Sequence, residues 1–163
     1  MQFVLIAIIV FLAVVWFGVV LIGPPYVPTL KRDLGVLFSY LKLSSKDHFV
    51  DLGSGDGRVL AAAAKSGACV SGVELNPFLV VISRLRLKPY KGLVTAGDMW
   101  RYRLPADTTH VFVFPAEMFM NKLEQYLVTQ RAHTGALLVA VYAFRFAGRT
   151  PEKVVGAFNL YRF

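Results

Sequence analysis

Three acidic or glycine-rich signatures recur along the chain at a spacing that could hold a nucleoside. The first is Val50-Asp-Leu-Gly-Ser-Gly-Asp-Gly-Arg58, which sets Asp51 ahead of Gly53, Ser54, Gly55 and Gly57. Glycines let a backbone turn tightly and approach a ligand with no Cβ in the way. Two familiar loops are excluded. A phosphate-cradling P-loop closes on Gly-Lys-Ser/Thr, and a dinucleotide loop needs glycine where Arg58 stands. The ligand suggested is nucleoside-like without a pyrophosphate. The second signature is Gly72-Val-Glu-Leu-Asn-Pro77, with Glu74 23 residues after Asp51 and followed by Leu75 and Asn76. An acid at such a strand end can accept hydrogen bonds from both ribose hydroxyls. The third is Ala96-Gly-Asp-Met-Trp100, where Asp98 could accept from an exocyclic adenine amine while Met99 flanks the ring. Each piece alone has an ordinary explanation as a turn residue or a solvated charge. Three consecutive strand ends carrying them together point to one ligand.

The elements that must position these residues follow from local patterning. Residues 30–43 place Leu34, Leu37, Phe38 and Leu41 at helical spacing. Strands are expected at 48–52, 69–75, 92–96 and 110–114, and a long fifth strand at 136–146. Helices are expected at 58–66, at 77–87 with Pro77 in a favourable first position, and at 117–130. Residues 154–163 can hold one strand or a short hairpin. Strands alternating with helices imply a mostly parallel sheet covered on both faces, an α/β architecture. Ligands then sit beyond the carboxyl ends of the strands.

Charge and hydropathy divide the chain. Of its 163 residues, 18 are Lys or Arg and 10 Asp or Glu, yet residues 3–22 carry no charge. Twenty helical residues rise about 30 Å, the thickness of a bilayer's hydrocarbon core. A cleaved signal peptide would need a basic start, a shorter apolar stretch and a small-residue cleavage site, and Gly23-Pro24-Pro25-Tyr26 is a poor one. The expectation is a transmembrane anchor over 1–23, a proline-stiffened linker and helix over 24–46, and a globular domain over 47–163. Lys31 and Arg32 follow the apolar run and nothing basic precedes it. The positive-inside rule therefore puts the domain in the cytoplasm and the N-terminus outside. A lone Cys69 suits a reducing compartment and excludes a disulfide framework.

Taken together, these residues resemble the class I S-adenosylmethionine-dependent methyltransferases, with a Rossmann-like sheet, over residues 24–163. Asp51-x-Gly-x-Gly-x-Gly57 looks like their first motif, Glu74 their ribose-binding acid and Asp98 their adenine-contacting acid. A narrower resemblance rests on Pro25-Tyr-Val-Pro-Thr29, Asp51-Leu-Gly-Ser-Gly-Asp-Gly-Arg58, Glu74-Leu-Asn-Pro77 with Ser83-Arg84, and Asp98-x-Trp100. It is to the membrane-anchored mitochondrial lysine methyltransferases of the ATP synthase c-subunit and the adenine nucleotide translocase, with their prokaryotic relatives. That group usually carries Pro after this threonine, where this chain has Leu30, and commonly a tryptophan near the end of the fifth strand, where it has Arg149-Thr-Pro151. The resemblance implies S-adenosylmethionine as cofactor, and a loop of Tyr26 and Thr29 over its methionine end. It implies a lysine side chain of a protein, possibly integral to the membrane, as acceptor.

Methyl transfer from a sulfonium needs positioning, exclusion of water and a free lone pair on the acceptor, and no metal. Neutralising a lysine at pH 7 costs about 4.6 kcal/mol from a reference pKa near 10.4. A desolvating aromatic channel lowers that cost, and Tyr26, Phe112, Phe114 and Phe119 are candidates for its wall, although Phe112 suits the core equally well. Glu117, in Phe114-Pro-Ala-Glu117, either orients the amine and accepts its proton or favours the first turn of the next helix. His48, His110 and His133 lack ligand spacing and are expected to be structural. Arg84, Arg86, Lys88, Lys91, Arg101 and Arg103 fall within 20 residues holding one acid, Asp98. Anionic lipid headgroups or a plain solvated face fit an anchored domain, whereas RNA would call for stacking aromatics that are missing. The alternatives for function are methylation of a lipid, quinone or other small amphipathic molecule, RNA modification, and an inactive cofactor-binding membrane module.

Overall fold

The computed structural model describes residues 2–10 and 27–163. Residues 2–10 are helical (α1). Among the described residues no helix is long and apolar enough to cross a membrane. Most of the apolar run expected as an anchor lies outside the described residues, as does Tyr26.

Helix α2 (Lys31–Leu41) is followed by β1 (His48–Leu52), α3 (Arg58–Ala64), β2 (Cys69–Glu74), α4 (Pro77–Leu87) and β3 (Leu93–Ala96). Then come β4 (His110–Val113), α5 (Met120–Thr134), β5 (Leu138–Tyr142) and a hairpin of β6 (Lys153–Val155) and β7 (Phe158–Arg162). The seven strands form one sheet in the order β3-β2-β1-β4-β5-β7-β6. β1 to β5 are mutually parallel; at one end β7 runs antiparallel to β5, and β6 antiparallel to β7. The chain winds outward from β1 to β3, then crosses to β4. The switch point therefore lies between β1 and β4, where a ligand crevice opens.

β1 is buried along its whole length, as a central parallel strand must be. Its alternation sends Phe49 to the side covered by α2, α3 and α4, with Leu34, Leu37, Leu60, Val80 and Leu87. Val50 and Leu52 go to the side covered by α5, with Leu123, Leu127, Val139 and Tyr161. Each buried side chain of this size contributes roughly 1.5–3 kcal/mol. Helix α3 is short and alanine-rich because it lies close to its neighbours. A Cβ on Gly57, at its N-cap, would stand 2.3 Å from Ser83 Oγ on α4.

Two expected elements differ. The fifth strand stops at Tyr142 rather than reaching 146, because Ala143 takes the left-handed conformation (φ 67°) and its N–H turns to Ala157 O. Phe146 then folds back into the core, stacked edge-on to Tyr161 at 4.8 Å. The helix expected at 117–130 opens with a single 3₁₀ turn, Glu117–Phe119, and runs on to Thr134, where Gly135 (φ 83°) ends it. The C-terminal segment takes its hairpin option, turning at Gly156 (φ 58°).

Candidate functional site

The parallel strands bring the carboxyl ends of β1, β2, β3 and β4 to one edge, and with them Asp51, Glu74, Asp98 and Phe114. The loop after β1 is held in an unusual shape. Gly53, Gly55 and Gly57 all have positive φ (87°, 54° and 76°), which side chains with a Cβ adopt only with strain. Gly53 N–H and Ser54 N–H both donate to Val73 O at 2.9 Å, so the loop leans over the end of β2. Glu74 fastens it from the other side. Its Oε2 accepts from Gly55 N–H at 2.8 Å and its Oε1 from Asn76 N–H at 2.7 Å. Asn76 then caps α4, its Oδ1 accepting from Phe78 N–H at 2.9 Å. Beside them Leu75 is exposed.

Asp51 lies beneath this loop, 1% exposed, paired in register with Gly72 on one side and Phe112 on the other. Gly72 is glycine for lack of room. A Cβ there would approach Asp51 O and Ser54 Cβ to 3.0 Å. Asp51 Oδ1 is buried with no hydrogen-bond partner among the described residues, and so is Ser54 Oγ. Burial, with the Glu74 and Asp56 carboxylates nearby, pushes the Asp51 carboxyl well above its ordinary pKa. A buried acceptor without a donor costs about 1–3 kcal/mol, so the fold keeps this one at the expense of stability.

Asp56 behaves oppositely. Burial works to raise it, but hydrogen bonds from Arg58 and Arg86 prevail and hold it well below the usual carboxylate range. Arg58 Nη2 donates to Asp56 Oδ2 at 2.9 Å, and Arg86 reaches the same carboxylate from α4. Arg58 Nη1 also lies 3.5 Å from Thr29 O. The segment ahead of α2, with Thr29 buried, is thereby brought against the glycine loop. Asp98, half-buried, caps the 3₁₀ turn Met99–Arg101 by accepting from Trp100 N–H at 3.0 Å, and Met99 is half-buried beside it.

The aromatic candidates separate. Phe112 is 2% exposed and packs on Phe158 at 6.1 Å, so it belongs to the core rather than to a channel wall. Phe119 packs on Trp100 at 5.8 Å. Phe114 stands edge-on to Tyr142 at 4.6 Å. Tyr142, at the end of β5, donates its hydroxyl to Asp33 Oδ2 on α2 at 2.6 Å. Burial and the Asp33 carboxylate push this phenol up to about 12, so it remains a donor at physiological pH. Sequence reasoning missed the Asp33–Tyr142 pair. Tyr142 sits inside an apolar strand pattern, and nothing there singles it out. The Asp56–Arg58–Arg86 clamp was also missed, although Asp-Gly-Arg lay in plain view. Glu117 is exposed at the start of its 3₁₀ turn.

The histidines serve as struts. His48 bridges Asp107 Oδ1 (2.9 Å) and Ser71 Oγ (2.8 Å), His110 Nδ1 meets Thr109 Oγ1, and His133 Nε2 donates to Leu104 O. Of the six-residue basic cluster, Arg84 Nε donates to Val94 O and Arg86 joins the Asp56 clamp, so both have structural duties.

Residues 51–153 match the ANTKMT methyltransferase domain family. The chain is 34% identical over 136 residues to the ATP synthase c-subunit lysine N-methyltransferase of Rattus norvegicus, covering 81% of this chain and 61% of that protein. It is 36% identical over 110 residues to the adenine nucleotide translocase lysine N-methyltransferase of Mus musculus, covering 63% of this chain and 46% of that protein. The chain thus spans less than two thirds of the length of these curated relatives. Among solved structures, an RNA methyltransferase from Salinibacter ruber in complex with S-adenosyl-L-homocysteine superposes with a TM-score of 0.73 at 26% identity, over 84% of this chain and 92% of that one.

Proposed function

Because the chain belongs to the ANTKMT methyltransferase domain family, we propose that it is an S-adenosylmethionine-dependent methyltransferase acting on lysine side chains of a membrane or membrane-proximal protein. The observation that carries this is the convergence of the glycine loop, Glu74 and Asp98 on one sheet edge, above a buried Asp51 whose Oδ1 lacks a donor among the described residues. These donors and acceptors suit an adenosine and a charged amino-acid tail. Asp51, Gly53, Ser54, Gly55 and Gly57 cradle the tail. Glu74 accepts from the ribose hydroxyls with lone pairs its two backbone bonds leave over, flanked by Leu75 and Asn76. Asp98 and Met99 take the adenine. Thr29, tied to the loop through Arg58, and Tyr26 cover the methionine end.

When bound, S-adenosylmethionine would supply a methyl group activated on a sulfonium, with the neutral thioether as the leaving group. The chain's own residues do the rest. Phe114 and Tyr142 form the acceptor-side wall, where an apolar surface disfavours the ammonium and lowers the cost of a neutral lysine. The Asp33 carboxylate fixes the Tyr142 hydroxyl, and Glu117 at the rim attracts and orients the amine. No residue need form a covalent intermediate, and catalysis is positioning with exclusion of water.

The apolar run before residue 23 anchors the domain, with the linker and α2 over 24–46 and the catalytic domain over 47–163 on the cytoplasmic face. Anchoring keeps acceptors in the same bilayer at high effective concentration. The test incubates the full chain with methyl-labelled S-adenosylmethionine and host membranes. Label on protein lysine is expected. Label that extracts into organic solvent, is lost on ribonuclease treatment, or sits on protein residues other than lysine contradicts the proposal.

A further inference from the structure

Helix α4 is apolar on both sides. Its inner face, Val80, Ser83 and Leu87, is buried against α3 and the sheet. On its outer face Phe78 (44% exposed), Val81 (56%), Ile82 (44%) and Leu85 (68%) recur at i, i+3, i+4 and i+7. At about 100° per residue these four fall on one narrow stripe. Among the described residues nothing covers it. Such a stripe on an outer helix marks an interaction face rather than scattered surface hydrophobicity.

The charges around the stripe identify its partner. At the same angular step Arg86, its charge paired with Asp56, flanks it on one side, and Arg84 and Lys88 on the other. Tyr90 and Lys91 extend it at the C-terminal end, and all of these residues are exposed. No Asp or Glu occurs from residue 75 to residue 97. A second copy of this chain seated on the stripe would set cations against cations across a two-fold axis. We infer that this face docks on an anionic lipid surface, the four apolar side chains entering the headgroup–acyl boundary while the cations meet the headgroups. The long aliphatic stems of Lys and Arg allow that arrangement, since they lie along apolar surface with the charge turned outward.

The placement bears on the site. Asn76, which follows Glu74, caps the N-terminus of this helix, and Arg86 on the helix grips Asp56 of the glycine loop. A domain seated on α4 therefore holds its glycine loop at a fixed angle to the bilayer. Docking through α4 adds an orienting contact to the proposed anchor and does not depend on the reaction catalysed.

Spin labels on the full chain, in a Cys69→Ser background, test it. Labels are placed at Ile82→Cys, at Leu85→Cys, and at Gln125→Cys on α5 as a control on the other side of the sheet. The chain is reconstituted into phosphatidylcholine vesicles with and without phosphatidylglycerol. At positions 82 and 85, access to oxygen should rise and access to an aqueous nickel chelate should fall when the anionic lipid is present, while position 125 stays aqueous. Reversing Lys88→Glu with Lys91→Glu should weaken the effect by roughly thirtyfold or more. Labels that stay equally aqueous in both vesicles overturn the inference. So does shielding from both reagents, or spin–spin broadening that reports a second copy. Each label reports separately, so one misfolded variant does not void the test. A chain that docks in this way but transfers no methyl would remove the proposed reaction and leave the surface standing.

Discussion

Asp51 costs the native state what it gives to the site. Among the described residues its Oδ1 has no donor, and its carboxyl is held well above the usual value, with burial the largest cause. A group whose pKa is raised on folding contributes stability that is full below its unfolded value, near 3.9, and lost as pH rises through the folded value. Asp51→Asn should therefore unfold at a higher temperature than the parent at pH 8, with the gap closing toward pH 4. The same variant should bind S-adenosylmethionine more weakly. Thermal denaturation at the two pH values, with a titration of the cofactor, checks both. Tyr142→Phe is expected to act on the acceptor side alone, lowering kcat on a lysine substrate while the cofactor's Kd stays within about twofold. Loss of the hydrogen bond to Asp33 should cost about 0.5–1.5 kcal/mol of stability. Equal losses in kcat and cofactor affinity would place Tyr142 elsewhere in the mechanism. Legibility differed among these residues. Asp51, Glu74 and Asp98 could be named from the sequence because a strand followed by glycines or a turn announces where an acid will sit. Tyr142 could not, because its role comes from Asp33, 109 residues away.

Elements were legible where periodicity decides and illegible where packing does. Pro77–Leu87 matches its expected bounds because Pro77 and the Asn76 cap start it and Pro89 follows its end. β5 was expected to continue through Ala143-Phe-Arg-Phe146, a run that suits a strand. Its end is set instead by the left-handed Ala143 and by Phe146 turning inward to Tyr161, both tertiary effects. The glycine loop belongs to both kinds. Its positive-φ glycines could be expected for a tight turn, but Gly57 is also required by the closeness of α3 and α4. Gly57→Ala should cost roughly 1–3 kcal/mol, from the strained φ of 76° and the 2.3 Å approach to Ser83 Oγ. Chemical denaturation measures it. Adding Ser83→Ala should recover part of the loss by removing that oxygen.

At the scale of the whole molecule, a seven-stranded sheet carries the proposed cofactor site at one edge and its histidine struts at the starts of β1 and β4, away from it. The excess of +8 is concentrated in part beside α4, the helix with the apolar outer stripe. The proposed function depends on the glycine loop and the ends of β2 and β3 gripping one adenosine compound together. Calorimetric titration of the full chain with S-adenosylmethionine measures this most directly, comparing the native chain with Gly55→Val and Asp98→Ala. Native binding is expected, with Asp98→Ala weakened roughly tenfold to a hundredfold by loss of a charged hydrogen-bond acceptor and Gly55→Val weakened at least as much. Unchanged affinity in both variants, each shown to be folded, would contradict a shared grip at this sheet edge.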